Sequence, residues 1–445
     1  FLNKEFHKKQ NFFSFSDIDS ERKDRIMKFT STEATPAPHV PPGVLRLTGA
    51  AKEDIPMYRI QTMNKISPVG LNRFPSELYE VGDAVQDPQG ILVRSAKLLD
   101  LEFNPGLLAI ARAGVGVNNI PLDRCAAAGI PVFSTPGANA NAVKELVICA
   151  MLMGSRDIPG AIRWVREQAA SGVDVSTVVE KGKSAFIGPE LYKKTLGIIG
   201  LGAIGSIVAN TAISLGMDVY GYDPFLSVDT ALRLDRHVHV VKDINDLYKR
   251  SDYITMHIHY TEKTAHMIDA DAIAAMKRGV RVINLARGEI VDDEAMLTAL
   301  DTGMVAAYIT DFPNNRLLTA PHVIAMPHLG ASTPESEQNC AAMAVDTLRD
   351  YLESGNIRSS VNLPEMTMDR SGVQRLCVLH KNVPGMLANI TSLFGRDGVN
   401  VENLSNKSRG DYAYTMVDLG SKVGDNVIED VRRTANVIRV RSLEW

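Results

Sequence analysis

Short apolar runs rich in valine and isoleucine alternate with helical patterns through the middle of the chain. Continuous apolar runs of this length are typical of strands buried on both faces, and the intervening helices indicate a parallel sheet wrapped on both sides. We therefore predict a doubly wound α/β domain over residues 140–330. Its strands are expected at TLGIIG (195–200), DVYGYD (218–223), VHVV (238–241), DYITMHI (252–258), VRVINLA (280–286), AAYIT (306–310) and VIAMP (323–327).

A smaller domain of the same type is predicted before it. Apolar runs at 91–95, 107–114 and 130–137 repeat the alternation, which favours a flavodoxin-like α/β sheet. The pattern over 332–355 is that of a long amphipathic helix, which we expect to cross back and complete this domain. The domain would then consist of residues 57–139 plus 331–367, with 356–366 as a linker.

The last part of the chain is predicted to be a separate module, residues 372–445. A strand at 373–379 is followed by a helix at 384–398 that opens with proline and closes with glycine. Two strands, a helix and a last strand follow, and the order βαββαβ is typical of a ferredoxin-like fold.

Residues 1–56 differ from the rest, since charges of both signs are mixed and the segment 35–43 is rich in proline. The segment lacks the apolar core of a signal peptide, and it carries acidic residues that transit peptides lack. We expect a disordered leader or upstream extension, with Met27 and Met57 as candidate starts.

Composition limits the functional classes. The 48 Lys and Arg against 52 Asp and Glu leave a net charge of −4, which offers nucleic acid no global attraction. The uncharged stretch 195–217 is long enough to span a bilayer, but its five glycines favour strand, turn and helix, so no membrane partner is expected. Four scattered cysteines without a CxxC argue against disulfides and zinc and favour a reducing cytoplasm.

A glycine-rich turn follows the first strand of the larger domain. Gly200, Gly202 and Gly205 form a GxGxxG motif at a helix start, where backbone N–H groups approach a pyrophosphate. Asp223 ends the next strand, about 20 residues on, where an acid bridges ribose hydroxyls and repels a 2′-phosphate. The pair predicts a Rossmann-type site for NAD rather than NADP.

Other polar residues follow neighbouring strands, and ligands of such sheets bind at these carboxyl ends. Arg287 offers a planar fork for a substrate carboxylate, and His328 can exchange a hydroxyl proton near neutral pH. An arginine after a strand is often a surface residue and a lone histidine often a packing residue. Their occurrence in the sheet that carries the glycine turn favours hydride transfer on a 2-hydroxy acid. His257 and His259 lack a third metal ligand, and we interpret them as cofactor-pocket or structural residues.

With these residues in place, the chain from about residue 57 to its end resembles the D-2-hydroxyacid dehydrogenases. The likeness is carried by Arg94-Ser95, ARAGVGVNN (111–119), STPGANANAVKEL (134–146), GLGAIG (200–205), NLARGEIVD (284–292) and PHLGAST (327–333). The resemblance implies oxidation of 3-phospho-D-glycerate with NAD, in serine biosynthesis, by a cytoplasmic dimer or tetramer whose two domains close over the substrate.

The resemblance also implies residue roles. Arg287 would be the substrate-binding catalytic arginine, and His328 the acid/base. The NAD site would further include Ala203, Ile204, Asp223, Ala286, Asp311, Gly330 and Ala331. The substrate would face Arg94, Ser95, Gly116 and Asn139, with Lys97 as a further candidate for its phosphate.

The sequence departs from the family after the strand at 306–310. The family usually has DVFxxEP there, with the Glu paired to the catalytic histidine, whereas Asn315 lies nearest that position here. An amide can orient an imidazole, but it cannot stabilise the imidazolium as a carboxylate does.

The terminal module resembles an ACT domain, a regulatory unit that binds amino acids, often between paired copies. His380, Asn382 and Asn400 match the positions that hold serine in regulated relatives. A module used only for assembly is the alternative. Two further functions stay open: a dehydrogenase for 2-hydroxyglutarate or hydroxypyruvate, and a nucleotide-sensing scaffold similar to the dehydrogenase-like corepressors.

Overall fold

The structure is a computed structural model that describes residues 57–445. The leader predicted for residues 1–56 lies outside the described residues. Three sheets organise the described chain, and each has its own apolar core.

The central sheet has seven parallel strands in the order β12-β11-β10-β9-β6-β7-β8. This is the doubly wound order of a dinucleotide-binding domain with one strand added, which confirms the predicted Rossmann-type fold. Each predicted strand is present, and their bounds are β6 Thr195–Ile199, β7 Asp218–Tyr222, β8 Val238–Val241, β9 Tyr253–Met256, β10 Val280–Asn284, β11 Val305–Thr310 and β12 Val323–Ala325.

The first sheet has five parallel strands in the order β2-β1-β3-β4-β5, which is the flavodoxin-like order that the sequence predicted. The strands are β1 Tyr58–Met63, β2 Tyr79–Gly82, β3 Gly90–Val93, β4 Ala109–Arg112 and β5 Val132–Phe133. Helices of both α/β sheets up to residue 301 are α1 Pro68–Leu71, α2 Leu122–Ala127, α3 Ala140–Arg156, α4 Ile158–Ala170, α5 Val175–Gly182, α6 Ala203–Ser214, α7 Val228–Arg233, α8 Ile244–Arg250, α9 Ala270–Ala274 and α10 Asp293–Asp301, and 3₁₀ turns lie at Lys183–Phe186, Gly288–Ile290 and Leu317–Thr319.

The long helix α11, Pro334–Ser354, returns to the first sheet as predicted. Thr333 caps its N-terminus by accepting from the Ser336 backbone N–H, and Gly355 ends it at a φ of 76°. One face of α11 packs against the strands, so the apolar core of this domain combines residues far apart in sequence, namely Ile60, Leu92, Ala109, Phe133, Ala344, Val345 and Leu348.

The terminal module has the predicted βαββαβ order and an antiparallel sheet β14-β15-β13-β16. Its elements are β13 Gln374–Lys381, α12 Met386–Arg396, β14 Val401–Arg409, β15 Tyr412–Leu419, α13 Asp425–Arg433 and β16 Val437–Glu444. Both helices pack on one face of the sheet, where Ile390, Phe394 and Val431 are fully buried.

The other face of this sheet packs against the first domain. Cys377 and Tyr414 join the apolar core that contains α11, and the Tyr414 hydroxyl donates to the Gly355 carbonyl at 2.8 Å. Arg441 is 9% exposed and donates to the Tyr351 and Leu352 carbonyls at 3.0 and 2.9 Å. The prediction of a linker over 356–366 was wrong, because Ile357, Leu363 and Met366 are each 1% exposed in the same core.

A buried ion pair lies at this contact. Arg375 and Asp418 are both 0% exposed, and the guanidinium donates to both carboxylate oxygens, at 2.6 and 2.7 Å. Arg375 also donates to the carbonyls of Ser354 and Met368. The guanidinium thereby joins the terminal sheet to the end of α11 and the segment that follows.

We predict that Arg375→Ala lowers the free energy of unfolding by about 3–5 kcal/mol, because it leaves the Asp418 carboxylate buried without a counter-charge. Urea unfolding would measure the loss. The matched control is Arg73→Ala, which breaks a bidentate pair with Asp346 of which about half of each side chain is exposed. That change should cost less than about 1 kcal/mol. Equal losses in the two variants would contradict the prediction.

Candidate active site

A cleft of about 380 Å³ lies between the first two sheets, at the carboxyl ends of their strands. It brings together many of the residues predicted for the site, from both domains. The predicted residues that line it are Arg94, Asn139, Gly202, Ala203, Ile204, His257, Ala286, Arg287, His328, Gly330 and Ala331.

The glycine turn has the geometry that a dinucleotide requires. Gly200 has a φ of 90°, and a Cβ on Gly205 would lie 1.9 Å from the Gly200 carbonyl oxygen, so neither position accepts a side chain. Gly202 is the N-cap of α6, and no side chain accepts from the N–H groups of the first turn there. A Cβ on Gly202 would meet nothing within 4 Å. Open space before free backbone donors fits a pyrophosphate.

Asp223 lies beside the glycine turn rather than in the wall of the cleft. Its two carboxylate oxygens accept from the backbone N–H groups of Leu201 and Phe225, each at 2.9 Å. The carboxylate is half-buried at the end of β7. Oxygens held at this place keep lone pairs for ribose hydroxyls, as the sequence predicted for NAD.

Arg287 projects into the cleft from the end of β10. Its Nη1 donates to the Ala286 carbonyl at 2.6 Å, and a Cβ on Gly116 would lie 3.2 Å from its Nη2. Gly116, which the sequence placed with the substrate, therefore lies against Arg287 and leaves room for its guanidinium. The Arg287 side chain is half-buried, and its hydrogen bond to the preceding backbone carbonyl orients the guanidinium.

The Asp311 carboxylate lies close enough to His328 for the two side chains to interact electrostatically. Burial raises the pKa of Asp311, whereas the charge of His328 and the N–H groups of Gly330 and Leu329 lower it. Its Oδ2 accepts from the Gly330 N–H at 3.3 Å, and its Oδ1 is buried without a hydrogen-bond partner. An orphaned acceptor at the strand end fits the carboxamide N–H of a nicotinamide.

The structure does not bring Asn315 to His328. Asn315 is exposed, and no hydrogen bond joins the two side chains within residues 57–445. Its neighbours turn away from the cleft, because Asn314 donates to Asp293 at 2.7 Å and Arg316 pairs with Glu294. The Asn315 amide therefore does not orient the His328 imidazole.

The cleft also contains two cations that the sequence prediction missed, Lys65 and Arg112. Arg112 donates to the Arg94 carbonyl at 2.9 Å, and burial and the nearby cations Arg287 and Arg94 lower its pKa. Arg112 is the last residue of β4, whose apolar run is a signal for it, whereas Lys65 follows β1, which has no such run. Lys97 is exposed and outside the lining of the cleft.

The remaining predicted substrate residues differ in their placement. Asn139 lines the cleft, and its Oδ1 is buried without a partner. Ser95 does not line it, and the Ser95 backbone N–H donates to Asn64 at 3.0 Å. Arg94 is paired with Glu337 of α11 at 2.6 Å, and Glu337 lines the same cleft.

His257 and His259 both line the cleft. Burial lowers the pKa of His257 to about 4, so its imidazole is neutral at physiological pH. Its Nε2 lies 3.2 Å from the Thr255 hydroxyl. Within the described residues, no group of three or more His, Cys, Asp or Glu side chains could hold a metal ion.

The three predicted effector residues do not converge in one chain. His380 is 2% exposed, with Nδ1 2.8 Å from the Lys381 carbonyl and Nε2 2.9 Å from the Thr415 hydroxyl. Asn382 lies at the same end of the sheet and donates to the Gly410 carbonyl. Asn400 lies at the other end, beside Gly420. The strand from Asp411, which pairs with Asn382, to Gly420 spans about 30 Å.

A dinucleotide turn that shares one sheet edge with an arginine and a histidine, and opens on an interdomain cleft, defines a nucleotide-dependent dehydrogenase. The chain belongs to the D-isomer specific 2-hydroxyacid dehydrogenases, and the NAD binding domain of that family matches residues 148–330.

Within residues 57–445, no helix is both long and apolar enough to cross a membrane.

Several similar proteins are D-3-phosphoglycerate dehydrogenases. The one from Synechocystis sp. is 36% identical over 326 residues, which cover 71% of this chain and 56% of that protein. The Escherichia coli protein is 33% identical over 350 residues, covering 76% of this chain and 82% of that protein. A 3-phosphoglycerate dehydrogenase from Entamoeba histolytica with NAD+ bound is structurally similar, with 26% identity, a TM-score of 0.54 and coverage of 69% and 99%.

The matched region is shorter than some of these relatives. It covers 56%, 55% and 60% of the proteins from Synechocystis sp., Methanocaldococcus jannaschii and Bacillus subtilis. Membership of the family therefore does not by itself define the activity of the whole chain.

Two alanine substitutions in the glycine turn should have different effects. Gly202→Ala is expected to weaken NADH binding about tenfold or more with an unchanged melting temperature, because its Cβ enters only the open space for the pyrophosphate. Gly205→Ala should also lower the melting temperature, since its Cβ collides with the Gly200 carbonyl. NADH fluorescence titration and thermal unfolding would measure both. Undiminished affinity in Gly202→Ala would contradict the assignment.

Proposed function

We propose that this protein oxidises 3-phospho-D-glycerate to 3-phosphohydroxypyruvate with NAD, the first step of phosphorylated L-serine biosynthesis. The observation that carries the proposal is the set of cations in one cleft. Arg287 shares the cleft lining with Lys65, Arg94 and Arg112, and with the glycine turn and His328. A substrate with a carboxylate at one end and a phosphate at the other fits this distribution of charge.

Each reacting group has a residue suited to it. Arg287 binds the substrate carboxylate and polarises the carbonyl oxygen through its forked N–H groups. The imidazole of His328 accepts the hydroxyl proton as the carbonyl forms and returns it in the reverse direction. NAD supplies the hydride acceptor when it is bound. The Asp311 Oδ1 and the free N–H groups at Gly202 would hold it.

The excess of cations favours a phosphorylated substrate over the alternatives. Arg94 and Arg287 both lie close enough to Arg112 to lower its pKa, and Glu337 is the acidic residue that shares the cleft lining with them. A dianionic phosphate offsets this repulsion better than an uncharged hydroxyl does. 2-Hydroxyglutarate, with a second carboxylate, is the strongest competitor, and hydroxypyruvate lacks a second charge.

We also propose that serine regulates the enzyme through its terminal modules, which we assign as ACT domains. The βαββαβ fold supports the assignment. The separation of Asn382 from Asn400 supports a serine site shared by two chains, one contributing each residue. His380 would then support the site from beneath, since both of its ring nitrogens have partners.

A homo-oligomer is part of the proposal, as a dimer through the nucleotide domain or a tetramer that also pairs the terminal modules. Helices α4 and α5 support it, because neither buries a residue and both expose apolar side chains, such as Ile162 and Val179.

We place the enzyme in the cytoplasm, on the support of four free cysteines. The domain bounds 57–139 plus 331–367, 140–330 and 372–445 stay predictions.

The direct test follows NADH formation with purified protein, 3-phosphoglycerate and NAD, with and without millimolar serine. Turnover that serine suppresses would support both parts of the proposal. Turnover that serine leaves unchanged would remove the regulatory part. The absence of turnover in either direction would contradict the substrate assignment, and 2-hydroxyglutarate and hydroxypyruvate would then be tested. Inactivity towards every acid, with NADH still bound, would favour the sensing scaffold.

Arg94→Gln should raise the KM for 3-phosphoglycerate about 10–100-fold, because one charged hydrogen-bonding fork to the phosphate is lost. The KM for an unphosphorylated 2-hydroxy acid should change about threefold or less. Steady-state kinetics with both substrates would measure this difference. Equal losses for both substrates would rule out a role for Arg94 at the phosphate.

Glu337→Gln is a control for which the opposite change in KM is expected. Glu337 accepts from Arg94 and competes with a bound phosphate for that guanidinium. The amide removes the negative charge and keeps the size, so the KM for 3-phosphoglycerate should fall about 2–5-fold. A higher KM in this variant would mean that Glu337 assists the substrate instead of competing with it.

A further inference from the structure

Phe312 lies in contact distance of both candidate catalytic side chains. The Arg287 Cζ is 5.7 Å from the centre of the Phe312 ring. The His328 and Phe312 ring centres are 4.6 Å apart, with an angle of 48° between the ring planes. Phe312 does not line the interdomain cleft, and it borders a second depression behind Arg287 with Gly288 and Tyr308. The ring therefore backs Arg287 and His328 on the side away from the substrate.

The position of the ring is fixed by the end of β11. The Phe312 backbone N–H donates to the Thr310 hydroxyl at 3.0 Å, directly after the buried Asp311. A Cβ on Gly288 would lie 3.4 Å from the Phe312 Cβ, so the turn after Arg287 packs against the base of the ring. The end of β11 and the turn after β10 therefore hold Phe312 in place.

The loop after Phe312 leaves the imidazole without its usual carboxylate neighbour. Asn314 and Arg316 are directed to Asp293 and Glu294 of α10, and Asn315 is exposed. In the described residues, Phe312 is the aromatic side chain that contacts His328. An aromatic ring favours a nearby cation through its quadrupole, and it also limits the rotamers of the side chains packed on it.

We propose that Phe312 is a positioning residue that holds Arg287 and His328 in a single geometry for proton and hydride transfer. The proposal rests on the proposed 2-hydroxy acid dehydrogenase activity, but not on the identity of the acid. When the imidazole accepts the hydroxyl proton, a second cation forms near the Arg287 guanidinium. The ring contacts both side chains from behind, where its quadrupole favours the nearby cations.

Phe312→Leu tests the role, because leucine keeps an apolar side chain of similar length but loses the ring. We expect kcat to fall about 10–100-fold, whereas the KM for NAD changes less than about twofold, since Phe312 does not line the cleft that contains the glycine turn. Phe312→Tyr keeps the ring and should retain kcat within about threefold of the unmodified protein. A structural defect alone would not produce this split or this rescue.

The matched control is Phe103→Leu, which removes a second phenylalanine with an arginine over its ring. The Arg124 Cζ lies 5.0 Å from the Phe103 ring centre, outside the cleft. This variant should keep kcat. If Phe312→Leu does not fold, as judged by circular dichroism, Phe312→Met takes its place with the same expected loss.

Two results would overturn the proposal. One is a kcat of Phe312→Leu, or of its methionine replacement, that equals that of the unmodified protein. The other is a kcat of Phe312→Tyr as low as that of Phe312→Leu. Failure of the substrate assignment is distinct, since it shows as inactivity of the unmodified protein towards 3-phosphoglycerate. The same variants would then be compared with the acid that the protein does oxidise.

Discussion

Parallel pairing of the strands is the constraint on which the site depends. In a parallel sheet all carboxyl ends lie at one edge, so residues that are distant in sequence but follow strands become neighbours. The two parallel sheets direct these edges at the same cleft. The ends of β1, β3, β4, β6, β9, β10 and β12 all contribute residues to its lining. Arg287 and His328 thus meet Arg94 and Arg112 without any direct connection in sequence.

This constraint also explains how much of the site the sequence could predict. Arg94 and Arg287 follow strands with clear apolar runs, and the structure places both in the cleft. Lys65 was missed because it follows β1, whose sequence YRIQTM mixes polar and apolar residues and gave no strand signal. Arg112 lies in the motif ARAGVGVNN (111–119), which indicated the family but assigned no separate role to Arg112.

Other features depend on long-range contacts that no local pattern contains. The loop after Phe312 turns outwards because Asp293 and Glu294, about 20 positions earlier, bind its side chains. The run 356–366 resembles a linker by composition, but the terminal sheet and α11 bury it. The fold of the terminal module could likewise be predicted from the sequence, but its packing against the first domain could not. Arg441 and Arg375 reach backbone carbonyls near the end of α11, and charged residues are normally assigned to the surface.

The return of α11 to the first sheet has a consequence for biosynthesis. The Tyr58 hydroxyl donates to the Leu352 carbonyl, and the two residues are 294 positions apart. At about 5–20 residues per second, a ribosome needs roughly 15–60 s to synthesise the intervening chain. During that time the complete nucleotide domain can fold, whereas the first five strands lack the helix that covers their apolar face. The apolar face of residues 57–139 stays uncovered during this interval, so this part of the chain is among the last to reach its native packing.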